Sequence, residues 1–434
     1  MIRLVRQGTR GFDEALAYLQ RRAETVPQEV EASVREILES VRREGNRAVL
    51  RYTRRFDGVK LTASRLRVSQ REVARAFTQT DPETVDALRL AARRITRFHE
   101  AQREASWIQT HETGILLGQV VRPLERVGLY VPGGRAAYPS TVLMNAIPAR
   151  VAGVGRVIMC CPATKGEINP AVLVAASLAG VDEIYRIGGA QAIAAMAYGT
   201  ETLPRVDKIV GPGNLYVAAA KRLVFGTVDI DMVAGPSEVL VIADDSANPS
   251  HVAADLLAQA EHDEQAWAVL VTDSPGLARR VRQEVSRQMA RLPRRKIAEK
   301  ALQNHGWILL VNNLVKATLV ANAIAPEHLE LAVRDPFSLL NRIQHAGAIF
   351  LGHHTPEALG DYLAGPNHVL PTGGTARFFS PLGVADFLKR SSVLYFTGEG
   401  LDRLGEAVIR LAEAEGLDGH GRAVRLRLSR RARW

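Results

Sequence analysis

Cysteine is almost missing from this chain. Two residues in 434, adjacent at Cys160 and Cys161, cannot build a framework of disulfide bridges. No stretch approaches the roughly 18 consecutive apolar residues that a membrane-spanning helix needs. The start, Met1-Ile-Arg-Leu-Val-Arg-Gln7, lacks the apolar core of a secretory signal. Aromatic residues are only 6%, and lysine is scarce, 8 residues against 48 arginines. What is present, 47% hydrophobic and 24% charged residues, is the mix of an ordinary globular chain and excludes disordered and collagen-like classes. The expectation is a soluble cytoplasmic protein with no membrane partner. At 434 residues it exceeds a single domain of roughly 100–200.

A formal charge of +10 raises the question of nucleic acid. Six of the arginines fall in the last fourteen residues, Gly421 to Trp434, where there is no acid; the other 420 residues carry only +4. The one other dense basic stretch is Arg291-Leu-Pro-Arg-Arg-Lys296. Neither cluster is interleaved with aromatic side chains that could stack on bases. No nucleic-acid partner is expected.

Residues 1–125 read mainly as helix, with long 3.6-residue patterns over 30–56 and 72–104. At Arg126 the texture changes to short β-branched runs alternating with Ala-rich helical runs. Strands are expected at 126–131, 156–160, 183–187 and 208–210, with helices at 139–151, 170–179, 190–198 and 215–225. A second series follows, with strands at 238–243, 268–272, 307–311 and 348–351 and helices between them. This alternation predicts parallel sheets with crossover helices. A last helix is expected at 401–415, then an edge strand at Val424-Arg-Leu-Arg-Leu428, where apolar and charged residues alternate.

Ligands of open α/β sheets bind at the carboxyl ends of strands, so the Gly-rich strand-to-helix turns come first. Three exist: Val131-Pro-Gly-Gly134, Ile187-Gly-Gly-Ala-Gln191 and Val210-Gly-Pro-Gly-Asn214. None matches G-x-G-x-x-G, and each glycine could serve only a tight turn. Three in one sheet favour a phosphate-bearing ligand at the helix N-termini. In the second series, Gln259 and His262 stand three apart on a helix, hence on one face. Glu327 and His328 fall in a short turn between apolar segments. Asp361 and His368 belong to a Gly/Pro-rich loop, and Glu415 and His420 follow the last helix. Such donors suit a metal or proton transfer only if they converge, which spacing cannot show. The two cysteines lie in an apolar strand without a basic neighbour and read as core.

Taken in order, these segments resemble the histidinol dehydrogenase family over essentially the whole chain. The matching stretches are Pro123–Gly134, Gly188–Ala195, Ile209–Asn214, Ile230–Glu238, Asp255–His262 and Ala325–Glu330. Asp361, Gly365–His368 and Glu415–His420 complete the set. The resemblance implies oxidation of L-histidinol to L-histidine through bound L-histidinal, with two NAD⁺. It implies one Zn²⁺ per subunit, held by Gln259, His262, Asp361 and His420. Ser237, His368 and Glu415 would complete the substrate contacts made by those ligands and His328. Tyr130, Gln191 and Asn214 would line the NAD site. His328 would act as base in both oxidations and Glu327 would activate water for the second.

The implied fold is two tandem parallel-sheet α/β units, incomplete Rossmann-like, with a helical N-terminal region and a small C-terminal helix-and-strand arm. The implied boundaries are an N-terminal segment 1–24 and a discontinuous substrate-side domain of 25–129 and 237–381. An NAD-side domain of 130–236 and an arm of 382–434 complete them. Family members are interlocked homodimers, so Glu415 and His420 would come from the partner. The alternative within the superfamily is an NAD-dependent dehydrogenase of another alcohol, such as a sulfonated propanediol. From a different class, a nucleic-acid binder would rest on the basic tail alone.

Overall fold

The computed structural model describes residues 2–22, 26–133 and 137–428; residues 23–24 of the N-terminal segment, Gly134, and the tail beyond Leu428 lie outside them. The chain forms two compact units, one of Met1–Gln102 with Leu124–Phe387, the other of Arg103–Pro123 with Leu388–Trp434.

The first unit holds two parallel sheets. One has six strands in the order Arg3–Arg6, Gly306–Leu310, Trp267–Thr272, Glu238–Ala243, His328–Ala332 and Ala348–Leu351. Its central strands are buried throughout, as parallel strands covered by helices on both faces must be. The two-residue side-chain period divides each strand between two cores. Val239, Val241 and Ala243 pack in one, with helix Pro249–Ala260, while Leu240 and Ile242 pack in the other. Leu329 and Leu331 share that second core, so His328 and Glu330 project from the opposite face.

The other parallel sheet has five strands in the order Glu183–Tyr185, Arg156–Cys160, Arg126–Tyr130, Lys208–Val210 and Asp229–Ile230. Helices Gly189–Tyr198 and Leu215–Val224 join Gln28–Glu44 and Asn46–Phe56 around one of its cores, where residues such as Leu38, Ile193 and Val217 are fully buried. Each such side chain contributes roughly 1.5–3 kcal/mol by leaving water. Cys160 and Cys161 are buried, and burial pushes the Cys161 thiol up to about 12, as expected of core rather than nucleophile.

The second unit pairs strands Leu388–Phe396, Ile115–Pro123 and Trp107–Glu112 in that order, all antiparallel, and adds helices Gly398–Ala414 and Asp418–Arg425. Among the described residues no helix is long and apolar enough to cross a membrane.

The α/β alternation stands as expected from Arg126 to Leu351, and four local readings are corrected. Residues 1–125 are mainly helical as expected, from Arg10 to Glu100, but also include the edge strand Arg3–Arg6 and the hairpin of Trp107–Glu112 and Ile115–Pro123. The strand Leu388–Phe396 has no counterpart in the expected elements. His328 opens a strand, although the preceding Pro326 and the polar pair read as a turn. At 424–428 the expected strand is helical: Asp418–Arg425 is an α-helix, and the Leu428 N–H donates to the Val424 carbonyl at 3.1 Å. Val424 and Leu428, four apart, both close on Gly405 of the preceding helix, a packing that a strand would divide between two faces.

Candidate active site

Glu327 and His328 lie at the amino ends of parallel strands, not at the carboxyl ends. Glu238 begins the neighbouring strand, directly after Ser237. Their placement is controlled from helix Leu314–Ile324, which ends on Ala325 in a left-handed conformation, φ 52°. A non-glycine residue there costs roughly 1–2 kcal/mol and needs support. Arg22 supplies it, donating to the carbonyls of Leu19 at 2.6 Å, Ile324 at 2.8 Å and Ala325 at 3.2 Å.

The rest of the Arg22 guanidinium forms a two-pronged, fully buried ion pair with Glu238, at 2.7 and 2.6 Å. Glu238 also accepts from the Gly373 N–H at 2.7 Å and the Glu327 N–H at 3.3 Å. Its own N–H donates to Glu327 Oε2 at 2.8 Å. The carboxylate of Glu327 is thereby aimed by a backbone that Arg22 fixes.

His328 is buried, and its Nδ1 lies 2.9 Å from the Glu238 carbonyl oxygen. A carbonyl only accepts, so Nδ1 carries the proton and donates it. Nε2 is left buried without a hydrogen-bond partner, 3.7 Å from Asp361 Oδ1. Burial works against a charged imidazole, but the Glu357, Glu327 and Asp361 carboxylates outweigh it and raise the proton affinity of His328. Burial pushes the Glu327 carboxyl up to about 8, against the pull of His328.

Asp361 sits in helix Glu357–Tyr362, where a loop was expected, and accepts no cation salt bridge from Lys or Arg among the described residues. Burial alone would raise its carboxyl, yet His328, His368 and His262 hold it below the usual carboxylate range. His262 follows the end of helix Pro249–Ala260, its N–H donating to the Gln259 carbonyl at 3.2 Å. The His368 Nδ1 donates to the Asp361 carbonyl at 2.9 Å. Burial lowers both imidazoles, leaving neutral rings with a free lone pair.

Gln259 is wholly buried, and neither amide atom has a hydrogen-bond partner. Such an orphan is costly, roughly 1–3 kcal/mol, unless a ligand satisfies it. Together with an ionised Asp361 and a neutral His262, it suits a borderline metal such as zinc. Glu415 caps the helix Gly398–Ala414 and His420 lies on the next helix; both are exposed and belong to the second unit.

Glu357 and Arg22 escaped the sequence reading. Ligand atoms of His328, Glu357 and Asp361 all lie within 4.8 Å of one another. The signal for Glu357 was its position four before Asp361, one turn of helix away. Arg22 left none, because its partner is remote in sequence.

At the five-stranded sheet, Tyr130, Gln191 and Asn214 do occupy the carboxyl-end turns. The Gly189 N–H donates to the Tyr130 hydroxyl at 3.1 Å. Asn214 caps its helix by accepting from the Tyr216 and Val217 N–H groups, each at 3.1 Å. Gln191 is wholly buried with both amide atoms unpartnered. These turns are therefore less open to an anion than the glycines alone suggested, but they leave polar groups waiting for a ligand.

A parallel α/β scaffold carries a buried His–carboxylate cluster at one sheet and Gly-rich strand-to-helix turns at the other, an arrangement suited to an enzyme with a cofactor. The family model for histidinol dehydrogenase matches residues 20–428. The chain is 60% identical to a histidinol dehydrogenase of Syntrophotalea carbinolica over 428 residues, 99% of each chain. It is 57% identical to that of Aquifex aeolicus over 416 residues, 96% of each. A crystal structure of histidinol dehydrogenase from Elizabethkingia anophelis superposes with a TM-score of 0.93 at 38% identity, covering 98% of both chains. The chain belongs to the histidinol dehydrogenase family, NAD-dependent oxidoreductases of histidine biosynthesis.

Proposed function

We propose that the protein is a cytoplasmic, zinc-dependent homodimer that carries out both oxidations of L-histidinol, through bound L-histidinal to L-histidine, with two NAD⁺. The observation that carries this reading is His328: its Nδ1 is committed to the Glu238 carbonyl, and its Nε2 is buried without a partner beside Asp361. Hydride leaves an alcohol carbon readily only as the hydroxyl proton departs, so a positioned base is required. Nε2 is the atom placed to take that proton.

An aldehyde has no hydride to give until water adds to it. Glu327, with a carboxyl raised to about 8 by burial, suits taking a proton from that water near neutral pH. Its Oε2, held by the Glu238 N–H, lies 3.6 Å from His328 Nδ1, so the two groups border one small space. His328 then serves again as base for the second oxidation. Zn²⁺, when bound, would anchor the substrate through Gln259, His262 and Asp361, with His420 from the partner subunit completing the set. Ser237, His368 and Glu415 would contact the substrate, the last also across the dimer. The partner reading draws support from the second unit, where Leu394 and Leu411 are 68% and 66% exposed, apolar surface suited to cover by a second chain. NAD⁺, the hydride acceptor, would lie along Tyr130, Gln191 and Asn214.

The deciding experiment is to count NADH formed per L-histidinol by the zinc-loaded protein, before and after a chelator. Two NADH per substrate, lost on chelation and regained with zinc, is the expected result. A single NADH, or turnover of a sulfonated propanediol in preference to histidinol, would replace this reading with another member of the superfamily.

A further inference from the structure

Glu330 sits in the middle of strand His328–Ala332, only 3% exposed, on a face that is otherwise apolar. Val241, directly across from it in the next strand, and Ala332 share that face and pack with Val252, Leu256 and Ala260 of helix Pro249–Ala260. A carboxyl placed there gives up hydration that an aliphatic side chain would not need, so packing alone does not account for it. Two contacts do. Glu330 Oε1 accepts the Glu357 N–H at 2.8 Å, and the Glu330 and Asp255 carboxyls hydrogen-bond to each other, which requires a proton on one of them.

Each contact fixes a different helix. Glu357 opens helix Glu357–Tyr362, whose first N–H groups find no partner within the helix and receive no side-chain cap from Pro356. Glu330 holds the first of them from the adjoining strand, and Asp361 stands four residues on, along the same helix face. Asp255 lies on helix Pro249–Ala260, where Gln259 stands four residues on in the same way.

The spacings of strand and helices match. Stepping back two residues from Glu330 to His328 covers about 6.6 Å on one strand face. Advancing four residues along a helix covers about 6 Å. Helix Glu357–Tyr362 spans that step, with the Glu357 N–H on Glu330 and Asp361 Oδ1 3.7 Å from His328 Nε2. Glu357 Oε1 also reaches back to 3.9 Å from His328 Nδ1. Helix Pro249–Ala260 crosses between the parallel strands Glu238–Ala243 and Trp267–Thr272, so it runs back toward the strands' amino ends, from Asp255 to Gln259. Glu330, Glu357 and Asp255 thus form a tier one step below the tier of His328, Asp361 and Gln259.

We propose that Glu330 is the positioning residue of the metal site, holding the helix of Asp361 through the Glu357 N–H and the helix of Gln259 through Asp255. This role rests on Gln259, His262 and Asp361 being zinc ligands, as proposed above. Withdrawal of zinc from the full-length holoprotein by a chromophoric chelator tests it. Glu330→Met, similar in size but without the carboxyl, should weaken zinc about 10–100-fold, the range found when a residue that orients a metal ligand is removed. Glu330→Asp keeps the charge but falls one carbon short of the Glu357 N–H, and should also weaken zinc at least about tenfold. Glu330→Gln can still accept that N–H and donate to Asp255, and should stay within about threefold of wild type. Asp255→Ala releases one helix alone and should cost less than Glu330→Met. At a fixed, sub-saturating zinc concentration the KM for histidinol should rise with the zinc loss, while NAD⁺ affinity stays at the wild-type value. Wild-type zinc affinity in Glu330→Met and Glu330→Asp would overturn the proposal. So would an equal loss in Glu330→Gln, which would make charge rather than hydrogen-bond geometry the cause, or a matching fall in NAD⁺ affinity, which would mean general loss of structure. Glu330→Asp, the milder change, decides the matter if Glu330→Met does not fold. Wild type that holds no zinc would overturn the ligand reading itself, and this role with it.

Discussion

Arg22 and Glu238, 216 positions apart, meet in a buried two-pronged ion pair, and the backbone that pair holds carries both Glu327 and His328. The pair proposed as base and water activator is thus positioned by two residues that have no part in the proposed substrate or dinucleotide contacts.

Arg22→Ala leaves the Glu238 carboxylate buried without its counterion, and the expected loss of stability is about 3–5 kcal/mol in urea unfolding. A loss under about 1 kcal/mol would mean the pair is dispensable. Arg22→Ala with Glu238→Gln should be less destabilised than Arg22→Ala alone, because the uncompensated charge is gone. The double variant should still turn over poorly, since the aim of Glu327 is not restored.

Glu327→Gln separates the two half-reactions. Oxidation of histidinol should persist within about tenfold, while oxidation of supplied histidinal should drop by roughly 10²–10⁴, the usual worth of a positioned base. His328→Asn should depress both steps by a similar factor. Single-turnover NADH traces check this, and an equal loss in both steps for Glu327→Gln would remove it as the water base.

Stability should fall as pH rises through the range set by a buried acid pair. Burial lifts Asp255 to about 6 against a hydrogen bond with Glu330, while burial and the Asp255 charge together raise Glu330 well above its usual value. A raised carboxyl favours the folded state fully only below its unfolded pKa, and that advantage is gone once pH passes the folded value. Asp255→Asn should therefore change little at pH 4 and stabilise the protein by about 1–2 kcal/mol at pH 8. Thermal melts across pH 4–9 measure it; a uniform shift at all pH values would mean packing, not ionisation, governs the site.

His420→Ala and His328→Ala proteins, each inactive, should regain activity when mixed heterodimers form, because one site then has both groups intact. Up to roughly half of the wild-type rate per dimer is expected on statistical grounds where one of two sites is repaired. Verified heterodimers without recovery would place both groups in one chain's site.

The segments that carry the family resemblance include Glu327, His328 and Asp361 but neither Glu357 nor Arg22, and local patterning fixed most strands and helices from Arg126 onward. Period-2 and period-3.6 signals survive in sequence because each strand or helix chooses its own buried face. Other features depended on partners far along the chain. The 424–428 segment alternates like a strand, yet Gly405 offers a notch that only a helical Val424–Leu428 pair fills. His328 reads as a turn residue because Pro326 precedes it, and only pairing with Glu238–Ala243 makes it the start of a strand.

The scarcity of cysteine and of long apolar runs, and a basic charge concentrated in the last fourteen residues, were settled by the sequence alone. They exclude a disulfide scaffold and a membrane-spanning helix. Tertiary structure decided which polar residues share one space. It placed Arg22 under Glu238, set Glu357 beside His328, and joined the Glu357 N–H to Glu330. The reason is physical: burial and lost hydrogen-bond partners are properties of an environment, and residues distant in sequence create that environment only once the chain is folded.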